Sequence, residues 1–398
     1  MRAVAAVALL GLVEACVGGS ANAHESTAEI ARHCLPCHGA AGTAPIKLDT
    51  PESLRRHRTL AALLVADGTM PPAVNLAAHT TGRRALSAEE RGRILAALEG
   101  DAPIEVERAR PEPAVQDVRR LLAPERAWTM PARGGAQLRT FVAPTDARRI
   151  RGIRWADPAE LAQSPIRFAS LAVDTRGVFR RLEAASRAEV TEGDGGVESM
   201  GNVGATPSGA IGALSRVASE CVLPRGFHFE IPRGDVVVEV LAEPIGRTAS
   251  VLPRIAWIED AVDDSSRPVR AIAMPVSTLA LEAATCQTQR LQHAVSRDVD
   301  IVGIMVKGGA FLRSARVTAG VALVDIPDFR MAFNEPFILR APHRVPAGGA
   351  IVAELGFDNT ADNPQQPSVP PQPVSAGLPP FGEDAIVVVL YAEVAPSR

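Results

Sequence analysis

The sequence predicts a multidomain protein: a small all-α domain followed by two antiparallel β-sandwich domains. Three observations carry this expectation. The stretch Cys34-Leu35-Pro36-Cys37-His38 reads C-x-x-C-H and follows a helix-prone segment. At 398 residues the chain is long enough for two or three domains. Beyond residue 118 helical periodicity gives way to short strand-like runs separated by turns.

Residues 1–23 read as a signal peptide. Arg2 supplies the positive end, Ala3 to Val13 form an apolar run too short to span a bilayer, and Ala21-Asn22-Ala23 is an A-x-A cleavage site. The expected location is periplasmic or secreted. Lipidation at Cys16, giving an outer-membrane lipoprotein, is the alternative, and Glu14 fits it poorly. No later stretch reaches transmembrane length, so the mature chain is expected to lack a transmembrane segment. A net charge of −3, with Lys47 and Lys307 the only lysines, excludes a nucleic-acid binder driven by basic charge. Export and oxidising surroundings also bear on Cys221 and Cys286, which pair in a disulfide or stay as separate thiols.

Residues 24–104 form the expected haem domain. Two thiols spaced by two residues reach the two vinyl groups of one porphyrin, and the next residue presents an imidazole to the iron. A zinc half-site is disfavoured, because the sequence holds no second C-x-x-C to complete four ligands. Ser26 or Thr27 caps the helix leading into Cys34. A backbone carbonyl near Pro45 is expected to accept the Nδ1–H of His38 and fix the ring. Met70, in Gly68-Thr69-Met70-Pro71-Pro72, is the candidate sixth ligand, held on a stiff proline-bearing loop. His57 and His79 are weaker competitors, His57 lying in the polar run Arg55-Arg56-His57-Arg58. Ser87 and Glu90 make a capping box for a closing helix with Ile94, Leu95 and Leu98 on its apolar face.

Residues 105–117 are charged, carry Pro111 and Pro113, and read as a linker. Strand-like runs follow at Leu138 to Val142, Phe168 to Val173, Asp235 to Leu241, Val299 to Met305, Ala315 to Val324, Ile351 to Phe357 and Ala385 to Tyr391. They suit two sandwiches, residues 118–262 and 263–398, meeting at Ala261-Val262-Asp263-Asp264-Ser265-Ser266. Thr191 to Gly212 is rich in Gly and Ser and is expected to be a loop.

The order of these pieces, with local wording such as Leu171-Ala172-Val173-Asp174-Thr175, Pro244-Ile245-Gly246-Arg247 and Phe357-Asp358-Asn359-Thr360-Ala361-Asp362-Asn363-Pro364, resembles a bacterial family. In it a small c-type cytochrome is fused to the copper type II, ascorbate-dependent monooxygenase fold, that of peptidylglycine α-hydroxylating monooxygenase. The resemblance implies two jelly-roll domains with a copper on each. The positions it assigns to copper ligands here read Arg167, Phe168, Leu241, Lys307, Gly309 and Ile386, none of them the imidazole or soft donor that copper takes. His228, His293 and His343 are isolated in sequence.

The function expected is therefore a periplasmic c-type cytochrome that transfers electrons through one covalent haem c, with no copper. Cys34 and Cys37 are the anchors, and His38 and Met70 the iron ligands. The β domains would dock a redox partner protein or bind a small molecule in the interdomain cleft. An active copper monooxygenase fed by its cytochrome, and a non-redox subunit of a surface assembly, are the alternatives.

Overall fold

The computed structural model describes residues 29–31, 33–39, 46–67, 70, 86–99, 121–157, 164–174, 176–189, 195–199, 209–215, 218–259, 262–331, 336–377 and 382–394. The signal-peptide stretch, Cys16, Pro45, His79 and the linker lie outside these residues. The chain divides into two compact units, residues 1–73 with 83–111, and residues 74–82 with 112–398.

The first unit holds three of the described helices: α1 (Leu35–His38), α2 (Pro51–Ala66) and α3 (Ala88–Glu99). Local chemistry sets their starts. Thr50 caps α2 by accepting the Ser53 amide at 3.1 Å, and Pro51 takes the first helical position, where its missing N–H costs nothing. Ser87 and Glu90 form the reciprocal capping box of α3, with the Glu90 amide donating to Ser87 Oγ at 3.1 Å and the Ser87 amide to Glu90 Oε2 at 2.9 Å. Ile30, Leu48, Leu54, Val65, Leu86, Ile94 and Leu98 close a small core.

Among its described residues the second unit is β-structure apart from α4 (Val178–Glu189). Its centre is a six-stranded sheet, in spatial order Pro336–Val345, Val299–Lys307, Ile386–Glu393, Arg267–Pro275, Phe227–Ile231 and Arg148–Ile150. Both faces of this sheet are buried. Along Ile386–Glu393, Ile386, Val388, Leu390 and Ala392 enter one core, while Val387 and Val389 enter the other. The first core is closed by a five-stranded sheet that includes Gln137–Thr145, Gly234–Ala242 and Ile166–Asp174. The second is closed by the four-stranded sheet Cys286–Ala294, Ala350–Asp358, Leu312–Ala319 and Val321–Ile326. Helix α4 covers the outside of the five-stranded sheet, its Phe179 packing on Val142 and Val237. Asp174 accepts the Phe179 amide at 2.8 Å at the start of that helix.

The expected fold class, a small all-α cytochrome domain ahead of two independent jelly rolls, is corrected by this architecture. The described residues are mostly β, 48% strand against 16% helix. Its strand-rich part does not separate at residues 262/263. Phe227–Ile231, before that point, pairs in parallel with Arg267–Pro275, after it. The physical reason is a sheet with two apolar faces, which needs a layer on each side. Residues 191–212, expected as one loop, contribute Val197–Glu198 and the start of Gly209–Ser215 as strands.

Candidate functional site

The C-x-x-C-H stretch forms the short helix α1, with Cys34 at its N-cap. The His38 amide donates to the Cys34 carbonyl at 2.8 Å, and the Gly39 amide to that of Leu35 at 2.7 Å. The Leu48 amide donates to the His38 carbonyl at 2.7 Å. In the same place Ile46 presents its carbonyl oxygen 2.8 Å from His38 Nδ1. A carbonyl only accepts, so Nδ1 donates in this contact, and Nε2 is the ring nitrogen that would meet an iron. The sequence located the acceptor near Pro45; it is the next residue.

Met70 follows α2, its amide donating to the Leu64 carbonyl at 2.8 Å. Its side chain, with those of Cys34, Leu35, Ile46, Ala61 and Ala62, packs half-buried on the helical core. Two leucines of α2 stand more open, Leu60 at 46% and Leu63 at 61% exposure. The donor set fits a covalent haem. It offers a thiol at Cys34, an imidazole oriented by a carbonyl, a thioether, and apolar side chains left incompletely covered. Cys37 lies on α1 one residue before His38.

Elsewhere in this unit the structure brings together residues that the sequence reading missed. Glu29, His33 and Glu90 each direct one ligand-type atom into a common point, all within 4.8 Å of one another. The i, i+4 spacing of Glu29 and His33 was the signal available in the sequence.

In the β unit, the positions singled out through the family resemblance do meet. Phe168 faces Leu241 across one strand pair, and Lys307 faces Ile386 across another. Phe168, Leu241, Lys307 and Gly309 line one crevice of about 10 Å³, room for a single water rather than a small-molecule ligand. The crevice is closed by charge pairing. Lys307 Nζ contacts Glu239 and lies 3.0 Å from Asp384 Oδ2. Burial opposes its charge, but Glu239 and Asp384 outweigh burial and raise the Lys307 pKa above its ordinary value. Arg167 is engaged by Glu243 at 2.7 Å. Glu383, beside this group, is fully buried and accepts the amides of Gly309, Phe311 and Leu312. Burial pushes its carboxyl up to about 7, against the pull of those three N–H groups.

The three histidines of the β unit serve separate places. His343 Nε2 meets the Ala319 carbonyl at 2.9 Å, His293 is exposed, and His228 is buried. Burial, aided by Arg149, lowers the His228 pKa. Cys221 and Cys286 are both free thiols, one buried and one exposed, so the structure has the separate-thiol arrangement. Among the described residues no helix is long and apolar enough to cross a membrane.

Comparison with known proteins gives no family assignment: no family model matches, and no curated protein matches. Among solved structures, the chain is similar to the major capsid protein P2 of bacteriophage PM2, with 10% identity and a TM-score of 0.24 over 70% of this chain and 98% of that one. The STIV MCP matches at 11% identity and a TM-score of 0.21 over 69% and 96% of the two chains. A Paenibacillus xanthan lyase matches at 9% and 0.17, over 69% of this chain and 25% of that one. TM-scores this low define no shared fold. The expected resemblance to a c-type cytochrome fused to a monooxygenase is corrected: the comparisons give evidence of neither component, and the described residues are mostly strand. The copper register laid on Arg167, Phe168, Leu241, Lys307, Gly309 and Ile386 falls with it. A cytochrome, a haem and electron transfer likewise draw no support from the comparisons. Any haem reading rests on Cys34, Cys37, His38 and Met70 themselves.

Proposed function

We propose that the chain holds one haem covalently at Cys34 and Cys37, with His38 and Met70 as axial ligands, and exchanges electrons with a redox partner protein outside the cytoplasm. The observation that carries this reading is the 2.8 Å contact from His38 Nδ1 to the Ile46 carbonyl. A metal-ligating histidine characteristically donates its other ring N–H to such an oxygen, which turns the ring and raises its basicity. When bound, the group would supply one-electron redox chemistry, with His38 and Met70 as the side chains that would hold its iron. Cys34 and Cys37 would anchor it, the Ile46 carbonyl orients the His38 imidazole, and Leu35, Ile46, Ala61 and Ala62 supply partly buried apolar surface in the same unit. Attachment of this kind takes place after export, in keeping with the expected signal peptide at residues 1–23.

The test is expression of the full chain with haem-maturation machinery. One iron per chain, a mass increase of one haem, and colour that survives acid extraction are expected. A Cys34→Ser/Cys37→Ser variant should lose all three. A colourless wild-type chain, or haem removed by extraction, rejects the proposal.

A further inference from the structure

The helical unit carries a second donor cluster, apart from the haem motif. Glu29 and His33 lie one turn apart, and Glu90 comes from the first turn of α3. His33 Nε2 is 3.2 Å from Glu29 Oε2 and 3.7 Å from Glu90 Oε1. All three side chains are nearly enclosed, with exposures of 8%, 12% and 9% in the order His33, Glu29, Glu90. Ligand atoms about 2.0–2.1 Å from a tetrahedral ion stand about 3.3 Å from one another, so these separations match a shared metal.

The atoms not turned inward are already held. Glu29 Oε1 accepts from Arg93 Nη2 at 2.9 Å, and Glu90 Oε2 accepts the Ser87 amide at 2.9 Å. The oxygens that approach His33 Nε2 are the other two, Glu29 Oε2 and Glu90 Oε1, an arrangement in which hydrogen bonds behind the ligands hold their donor atoms. Glu29 Oε2 is buried and accepts no hydrogen bond.

We propose that Glu29, His33 and Glu90 bind a divalent transition-metal ion, zinc being the best chemical fit, with the fourth position open to water. The ion would tie the segment entering Cys34 to α3. The proposal does not depend on the haem reading.

The experiment uses the full chain as expressed with haem maturation, dialysed against zinc and freed of loose metal. Zinc per chain is counted, and the zinc X-ray absorption edge reports the donor atoms. One zinc with a shell of nitrogen and oxygen at about 2.0–2.1 Å and no sulfur is expected. His33→Ala and Glu29→Gln should each lower affinity at least tenfold; Glu29→Gln leaves the helix and its volume intact, should His33→Ala fold poorly. Three results overturn the proposal: no zinc retained, a sulfur shell near 2.3 Å placing the ion on cysteine thiolates, or variants that bind as wild type.

Discussion

The Ile46 carbonyl oxygen lies 2.8 Å from His38 Nδ1. Because the acceptor is backbone, the contact does not depend on the side chain at residue 46. The Leu48 amide also donates to the His38 carbonyl, so the imidazole and its own backbone are held by two neighbouring main-chain groups.

If the proposed ligation holds, Met70→Ala should leave haem attachment intact, since the cysteines are untouched. Ferric iron should pass from low to high spin, and the reduction potential should fall. Electron paramagnetic resonance and a redox titration of the variant check this. Unchanged spectra would remove Met70 from the iron.

Lys307→Met should destabilise the β unit by about 3–5 kcal/mol, the usual cost of leaving buried carboxylates without their cation. Glu239 and Asp384 are the groups stranded. The three tryptophans, Trp128, Trp155 and Trp257, all lie in the first β core, so their fluorescence in urea reports this unit. Adding Glu239→Leu to Lys307→Met should recover part of the loss.

Stability of the β unit should fall as pH rises through the Glu383 window. Unfolded, this carboxyl ionises near 4.5; folded, burial keeps its proton until about 7. Between those values the native state binds more protons, so rising pH favours unfolding, by about 3 kcal/mol across the window. His228 opposes this slope, its lowered pKa making the folded unit gain stability as pH rises toward 6.5. Comparison with Glu383→Gln isolates the carboxyl: wild type should lose ground to the variant as pH rises from 4.5 to 7. A pH-independent difference would contradict the raised pKa.

Thiol labelling should separate Cys286 from Cys221. Cys286 is exposed and should react in the native state. Burial pushes the Cys221 thiol up to about 12, so it should react only after unfolding. With Cys34 and Cys37 in thioethers, native labelling should count one thiol per mature chain and denatured labelling two.

The sequence by itself determined what local chemistry determines. The C-x-x-C-H helix, the Ser87–Glu90 capping box and most strand cores were legible, because a cap, a turn or an alternation is decided within a few residues. The acceptor for His38 was located to within one residue for the same reason. Tertiary structure alone decided that Phe227–Ile231 and Arg267–Pro275 share a sheet, and that Ile386–Glu393 is buried on both faces. The unbroken apolar run Ile386 to Leu390 was the available sign. It says that both faces are covered, and cannot say by which strands. The meeting of Glu90 with Glu29 and His33, and of Lys307 with Glu239 and Asp384, was equally beyond the sequence. Such contacts join residues far apart in the chain, and only the packing of whole elements brings them within range.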